Sequence, residues 1–156
     1  MAAEASSGDL LIHGTCIAIS GRAALLRGAP GSGKSDLALR FISAFGGTQR
    51  PSDTAVLISD DQVLVTRQGD VVAARAPDTI SGLLEVRGIG ITDVAHDKHA
   101  MLVLIVDMVK PSEVPRLPPE PLPSVKILGI PVPILKLDPF EQSCPVKLKL
   151  ALTGSP

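Results

Sequence analysis

The chain has 156 residues, a length typical of one domain. With 45% hydrophobic residues, 20% charged residues and a formal net charge of -1, the composition excludes a mostly disordered chain. It also provides no basic excess for binding nucleic acid or an anionic membrane. Aromatic residues make up only 2%, three Phe without Trp or Tyr, which argues against a stacking platform for single-stranded nucleic acid.

The amino terminus and the cysteines favour a cytoplasmic protein. Residues 1–9 contain no basic region followed by a long apolar run, so we expect no secretory signal. Cys16 and Cys144 are far apart in sequence without a second ligand nearby, which favours buried thiols over a disulfide or a zinc site. We therefore expect a short tail over residues 1–9, a single cytoplasmic domain over residues 10–156, and neither nucleic acid nor a membrane as partner.

The first sixty residues predict strands around one helix. Apolar runs rich in β-branched and aliphatic residues predict strands at residues 10–20, 23–27 and 55–59. Residues 35–45 carry apolar side chains at helical spacing, and Gly46 and Gly47 are expected to end that helix.

The middle of the chain predicts a series of short strands. Turn residues separate apolar runs at residues 63–66, 71–74, 83–86, 89–94 and 101–106. The first two of these runs flank Gln68-Gly69-Asp70, which indicates a hairpin.

Proline dominates the chain after Lys110. Nine of the 14 prolines lie in residues 111–139, so this segment is not expected to hold a central helix or a central strand. Edge strands are expected at residues 125–128 and 132–137, and a final helix over residues 140–153, with Pro145 early in it or just before it. Strands on both sides of one central helix favour a mixed α/β domain over a symmetric doubly wound sheet.

Residues 28–35 match the phosphate-loop pattern G-x-x-x-x-G-K-[ST] at every fixed position. The loop consists of Gly28, Ala29, Pro30, Gly31, Ser32, Gly33, Lys34 and Ser35. Its glycines let successive N–H groups point at phosphate oxygens, and the following helix directs the positive end of its dipole there. Lys34 supplies a positive charge for the β- and γ-phosphates, and the Ser35 hydroxyl is a ligand for Mg²⁺. The pattern and its strand–loop–helix context predict nucleotide or polyphosphate binding.

Asp60 and Asp61 are the main acidic candidates, because they follow a predicted buried strand. Adjacent side chains in an extended chain point opposite ways, so one carboxylate would hold Mg²⁺ through water while the other acts on an acceptor hydroxyl. The alternative is that the pair only begins a turn. His13, within an apolar strand, is by itself more typical of a structural residue. Glu85 and Arg87, before two glycines, are a weak sign of close backbone approach to a ligand.

Four segments, in order, resemble the catalytic domain of bacterial HPr kinase/phosphorylase, which phosphorylates a serine of HPr, the phosphocarrier of the sugar phosphotransferase system. They are Ile12-His13-Gly14, the loop at residues 28–35, Ile58-Ser59-Asp60-Asp61, and residues 84–93. The resemblance implies a P-loop-containing mixed sheet around a central helix, of the HPr kinase/PEP carboxykinase type. It also implies ATP and Mg²⁺ as cofactors, an HPr-like phosphocarrier as partner, and a homo-oligomer that is hexameric in the family.

The resemblance also implies roles for individual residues. The catalytic positions would be His13, Lys34, Asp60, Asp61 and Arg116. Within the acidic pair we take Asp61 as the proton acceptor, with His13 positioning or polarising the pair. Ser35 and Glu85 match the magnesium ligands of the family.

The chain departs from the family pattern at three points, and the third bears on the reverse reaction. Only a short tail precedes the match, Asp36 stands where the family usually has Glu, and residues 131–136 occupy the place of a basic, glycine-containing loop linked to dephosphorylation. The chain thus resembles a short proteobacterial form, in which kinase activity is expected and phosphorolysis to pyrophosphate is open. Two other functions stay open: a small-molecule P-loop kinase, although the scattered arginines form no Arg-rich lid, and a nucleotide-binding regulator without turnover.

Overall fold

The computed structural model describes residues 8–47 and 50–156. This part of the chain forms eleven strands and two helices. The strands are β1 (Asp9–His13), β2 (Thr15–Ile19), β3 (Arg22–Arg27), β4 (Val56–Ser59), β5 (Gln62–Gln68), β6 (Val71–Arg75), β7 (Leu83–Val86), β8 (Gly90–Asp93), β9 (His99–Met108), β10 (Ser124–Ile127) and β11 (Ile130–Leu137). The helices are α1 (Lys34–Phe45) and α2 (Cys144–Thr153).

Nine strands form one mixed sheet, and β7 with β8 forms a separate two-stranded sheet. The main path runs β1-β5-β6-β9-β3-β2-β4, and β11 pairs with both β9 and β10. Strands β3 and β11 both run parallel to β9, with Arg27 opposite Asp107 and Leu137 opposite Met108. The carboxyl ends of these three strands therefore meet at one edge of the sheet.

The sheet buries side chains on both of its faces. Ile17 and Leu26 pack with Phe41 of α1 and Leu148 of α2 in one hydrophobic cluster. Leu25, the neighbour of Leu26 in β3, points to a second cluster supplied mainly by the strands, over which the sheet curls. Burial on both faces explains why β2 and β3 have continuous apolar sequences rather than an alternating pattern.

The predicted mixed α/β class is confirmed, and so are most of its elements. Helix α1 begins directly after the glycine-rich loop and ends where the Gly46 N–H donates to the Ile42 carbonyl at 2.7 Å. The predicted hairpin is the antiparallel pair β5 and β6, and the next two predicted strands pair as β7 and β8.

The prediction of a single strand over residues 10–20 is wrong, because the chain turns at Gly14. Strand β1 pairs with β5, whereas β2 pairs with β3 and β4. Gly14 has a φ of +156°, and a Cβ placed there would lie 2.8 Å from the backbone oxygen of Leu26. The corner requires glycine and leaves His13 and Thr15 on either side of it.

Strand β11 is not the edge strand that its prolines predicted. Its first half pairs with β10, and its second half pairs with β9. The Ile134 N–H donates towards the β10 side, to the Pro123 carbonyl at 2.8 Å. N–H directions alternate along a strand, so the ring nitrogens of Pro131 and Pro133 point away from β10 and towards the β9 side. On that side β9 pairs with β11 only from Ile134 onwards, so no hydrogen bond is needed at either proline. The strand accommodates both prolines in this way.

The chain termini differ in part from the expected pattern. The final helix begins at Cys144 rather than within residues 140–143, and Pro145 lies in its first turn as expected. Residues 1–7 of the expected tail lie outside the described residues, and Asp9 already belongs to β1. With 12 and 10 residues, the two helices of the described chain are too short to cross a membrane.

Candidate active site

The loop between β3 and α1 presents polar groups at the amino end of the helix. Gly33 caps α1 with a φ of +98°, a conformation that residues with side chains rarely adopt. The first backbone amides of α1 have no acceptor within the helix, so they point out of its end. The Ser32 Oγ atom is buried and has no hydrogen-bond partner within the described chain. A row of free amides beside an unpaired buried hydroxyl fits a phosphate group.

Lys34 folds back over this loop. Its Nζ atom donates to the carbonyl oxygens of Gly28 at 2.7 Å and Ala29 at 3.1 Å. The ammonium group is thereby held at the loop, where it adds a full positive charge to the partial charges of the amides.

Asp60 accepts hydrogen bonds from three separate segments. Its Oδ1 atom accepts from the Thr15 hydroxyl at 2.9 Å and from the Ser35 hydroxyl at 2.8 Å. Its Oδ2 atom accepts from the Glu85 backbone N–H at 3.2 Å. One carboxylate thus joins β2, the first turn of α1 and β7.

Asp61 faces a different partner. Its backbone has a φ of +69°, and its Oδ1 atom lies 3.6 Å from His13 Nδ1, with the two side chains 74% and 84% exposed. The Gly14 N–H donates to the Asp61 carbonyl at 3.1 Å, which ties the acidic pair to the β1–β2 corner. The two carboxylates therefore have different partners, and Asp61 lies in a left-handed turn rather than in the extended chain that the prediction assumed.

One cavity of about 560 Å³ connects these groups. Its lining includes residues of the phosphate loop together with Thr15, Asp60, Asp61, Glu85 and Phe140. Arg116 is exposed between β9 and β10 and does not belong to this lining, so its catalytic role stays a prediction.

The donor set around Ser35 fits a shared magnesium site. Within residues 8–47 and 50–156, no three His, Cys, Asp or Glu side chains form a metal site made of protein alone. Mg²⁺ in nucleotide sites takes one or two carboxylates and completes its coordination with phosphate oxygens and water. Ser35, Asp60 and Glu85 all line the cavity, and a hydroxyl with two carboxylates matches that requirement.

The cysteines lie outside this chemistry. Both are buried and do not line the cavity. Burial raises the pKa of the Cys16 thiol, and it raises the pKa of Cys144 to about 11. Both thiols are therefore protonated at neutral pH and are poor nucleophiles.

Two residues of the site were missed in the sequence. Thr15 is fully buried beside Asp60, and its only signal was that it is a polar residue within the predicted apolar strand of residues 10–20. Phe140 is 69% exposed and lines the cavity, and its signal was its rarity in a chain with three aromatic residues.

The fold and the loop together define a P-loop α/β domain. The chain belongs to the HPr Serine kinase C-terminal domain family, whose model matches residues 5–138. It is 38% identical over 131 residues to HPr kinase/phosphorylase of Burkholderia lata and 37% identical over 131 residues to that of Burkholderia cenocepacia. Each alignment covers 78% of this chain and 38% of the relative, so the chain spans well under half the length of these curated relatives.

A solved structure has the same fold. The Hpr(Ser) kinase/phosphatase from Coxiella burnetii superposes with a TM-score of 0.76 at 23% sequence identity. The match covers 93% of this chain and 95% of that chain. The structural match therefore covers a larger part of the chain than the residues 5–138 that the family model matches.

Proposed function

We propose that the chain is an ATP-dependent serine protein kinase that phosphorylates an HPr-type phosphocarrier. The observation that carries this proposal is the hydrogen-bonded group of Asp60, Ser35 and Glu85 beside the phosphate loop. Asp61 and its neighbour His13 lie next to that group, so a metal-binding carboxylate and an exposed carboxylate adjoin one phosphate site.

In this proposal the loop residues 28–35 bind the ATP phosphates through backbone amides. Lys34 exchanges its loop carbonyl partners for phosphate oxygens and neutralises charge on the γ-phosphoryl group. Ser35, Asp60 and Glu85 would hold Mg²⁺. When bound, Mg²⁺ neutralises the negative charge that develops during phosphoryl transfer.

Asp61 is the proposed general base. Its exposed carboxylate accepts the proton of the incoming serine hydroxyl as the hydroxyl oxygen attacks the γ-phosphorus and ADP leaves. His13, 3.6 Å away, orients that carboxylate. The reverse reaction, which we include in the proposal, begins with attack of inorganic phosphate on phosphoserine and yields serine and pyrophosphate. In this reaction Asp61 starts protonated and gives its proton to the serine oxygen as the bond between that oxygen and phosphorus breaks.

The proposal also includes the cellular location and the oligomeric state of the enzyme. We infer a cytoplasmic homo-oligomer, hexameric as in the family that the chain resembles, and light scattering of the purified chain measures its mass.

Arg116 keeps the catalytic role implied by the resemblance. Replacing it with Ala should lower the phosphorylation rate, and an unchanged rate removes Arg116 from the mechanism.

The decisive experiment incubates the chain with γ-labelled ATP, Mg²⁺ and HPr. We expect the wild-type chain to label a serine of HPr. Asp61→Asn should bind ATP as the wild type does but transfer no label, and Lys34→Ala should lose ATP affinity. Asp70→Asn, in the exposed β5–β6 turn, is the matched control and should behave like the wild type. Label on a small acceptor instead of HPr would identify a small-molecule kinase, and ATP binding without transfer would identify a regulator.

A further inference from the structure

Phe140 differs from the other aromatic residues of the chain. The rings of Phe41 and Phe45 pack edge to face with centroids 5.5 Å apart, and Phe41 is fully buried. The Phe140 ring is 69% exposed, so it buries little apolar area within the domain. The ring is therefore accessible from solvent, and its position beside the phosphate loop distinguishes it from other exposed apolar side chains.

The topology places this ring beside the phosphate loop. Phe140 follows β11, and the phosphate loop follows β3, at the sheet edge where both strands end alongside β9. A Cβ built on Gly33 would lie 3.2 Å from Phe140 Cε1, so the ring edge contacts the loop itself. Phe140 also lines the cavity that contains Lys34, Ser35 and both aspartates.

The ring and the acidic pair lie on opposite sides of the loop. Along the sheet, β4 is two strands from β3 on one side, and β11 is two strands from β3 on the other. Asp60 and Asp61 follow β4, whereas Phe140 follows β11. A nucleotide with its phosphates in the loop and its γ-phosphoryl group towards Asp61 therefore extends its other end towards Phe140.

The turn that carries the ring is anchored at both ends. Arg40 of α1 donates to the carbonyl of Pro139, and the Phe140 N–H donates to Asp138 Oδ1 at 3.0 Å. On the other side Lys147 of α2 donates to Glu141 at 2.7 Å and 2.9 Å. The backbone that carries the ring is thus fixed before a ligand binds, so stacking would not have to order the turn as well.

We propose that Phe140 is the stacking surface for the base of the bound nucleotide. This inference rests on the proposed function, because it assumes that the phosphates occupy the loop. The ring presents a flat hydrocarbon face without a donor or acceptor, so it binds a base by stacking rather than by hydrogen bonds. The expected ligand class is a nucleoside triphosphate, with little discrimination between adenine and guanine.

The test compares ATP with inorganic tripolyphosphate, which has the phosphates and no base. Calorimetry with Mg²⁺ should show that Phe140→Ala weakens ATP binding about tenfold and leaves tripolyphosphate binding unchanged. Phe140→Tyr, which keeps a ring, should retain ATP affinity, and Lys34→Ala should lose both ligands.

Each other outcome has a defined meaning. Unchanged ATP affinity in Phe140→Ala overturns the proposal, as does equal weakening of both ligands, which would indicate a disturbed loop. A raised KM for HPr with unchanged ATP affinity would instead assign the ring to docking of the protein substrate. If Phe140→Ala weakens binding of ATP but not of tripolyphosphate, and the wild-type chain transfers no phosphate to HPr, the kinase proposal fails while the stacking proposal stands. If the wild-type chain binds neither ligand, both fail.

Discussion

The hydroxyl of Thr15 offers a sharp test of how Asp60 is held. Thr15 is fully buried, and its Oγ1 atom donates to Asp60 Oδ1 at 2.9 Å. A hydrogen bond to a charged group contributes about 1.5–3 kcal/mol, and we take the lower end because Asp60 keeps donors from Ser35 and Glu85. Thr15→Val fills nearly the same volume, so it should lower the free energy of unfolding by about 1.5 kcal/mol and Tm by about 3–6 °C.

The functional effect should appear in the magnesium dependence. Without the Thr15 hydroxyl, the Asp60 carboxylate can rotate away from Ser35, so the Mg²⁺ concentration for half-maximal kinase rate should rise by up to about tenfold. Thr15→Ser keeps the hydroxyl and should retain the wild-type magnesium dependence, while losing some stability with its methyl group. The reasoning is refuted if Thr15→Val matches the wild type in Mg²⁺ titrations, or if Thr15→Ser is equally impaired.

Three further predictions concern buried thiols, a surface ion pair and the β1–β2 corner. A thiol reagent at neutral pH should label neither Cys16 nor Cys144 in the folded chain and both in denaturant, because both are buried with raised pKa values; rapid labelling of the folded chain would contradict this. The hydrogen bond from Lys147 lowers the pKa of Glu141. The stabilisation that this ion pair gives to the folded chain is therefore present above the unfolded-state pKa of Glu141 and is lost as pH falls through its folded-state pKa. Glu141→Gln should therefore lower Tm at neutral pH but not at about pH 2, and a Tm difference that persists in acid would refute the ion-pair origin. Gly14→Ala should lower the free energy of unfolding by about 1–3 kcal/mol in denaturant titrations, and wild-type stability would show that the corner tolerates a side chain.

The phosphate loop and α1 were predictable because their signals are local. The fixed Gly, Lys and Ser positions of residues 28–35 stand next to each other, and the helical spacing of residues 35–45 follows at once. The same holds for the β5–β6 hairpin, whose turn residues separate two apolar runs. In each case the residues that determine the structure lie within one element or its turn.

Contacts between distant segments were not predictable in the same way. The apolar pattern of residues 10–20 continues through Gly14, and only the approach of the neighbouring strand shows that the chain turns there. Thr15 is 45 residues from Asp60, so no spacing rule connects them. The position of Phe140 depends on where β11 ends and α2 begins, and the sequence pattern placed that helix start too early.

Under the proposed function, the triple hydrogen bonding of Asp60 makes ATP affinity depend on correct folding of the chain. Its donors come from residues 15, 35 and 85, which meet only after the sheet, α1 and the small β7–β8 sheet have all assembled. A partly folded chain lacks that arrangement, so it should bind nucleotide weakly and gain little from it. In the native chain a ligand present at about 100 times its Kd adds about 2.7 kcal/mol to the stability of the whole domain. If ATP binds as proposed, the amplitude of the unfolding transition that ATP shifts to higher temperature reports the properly assembled fraction of a preparation, without any phosphocarrier in the assay.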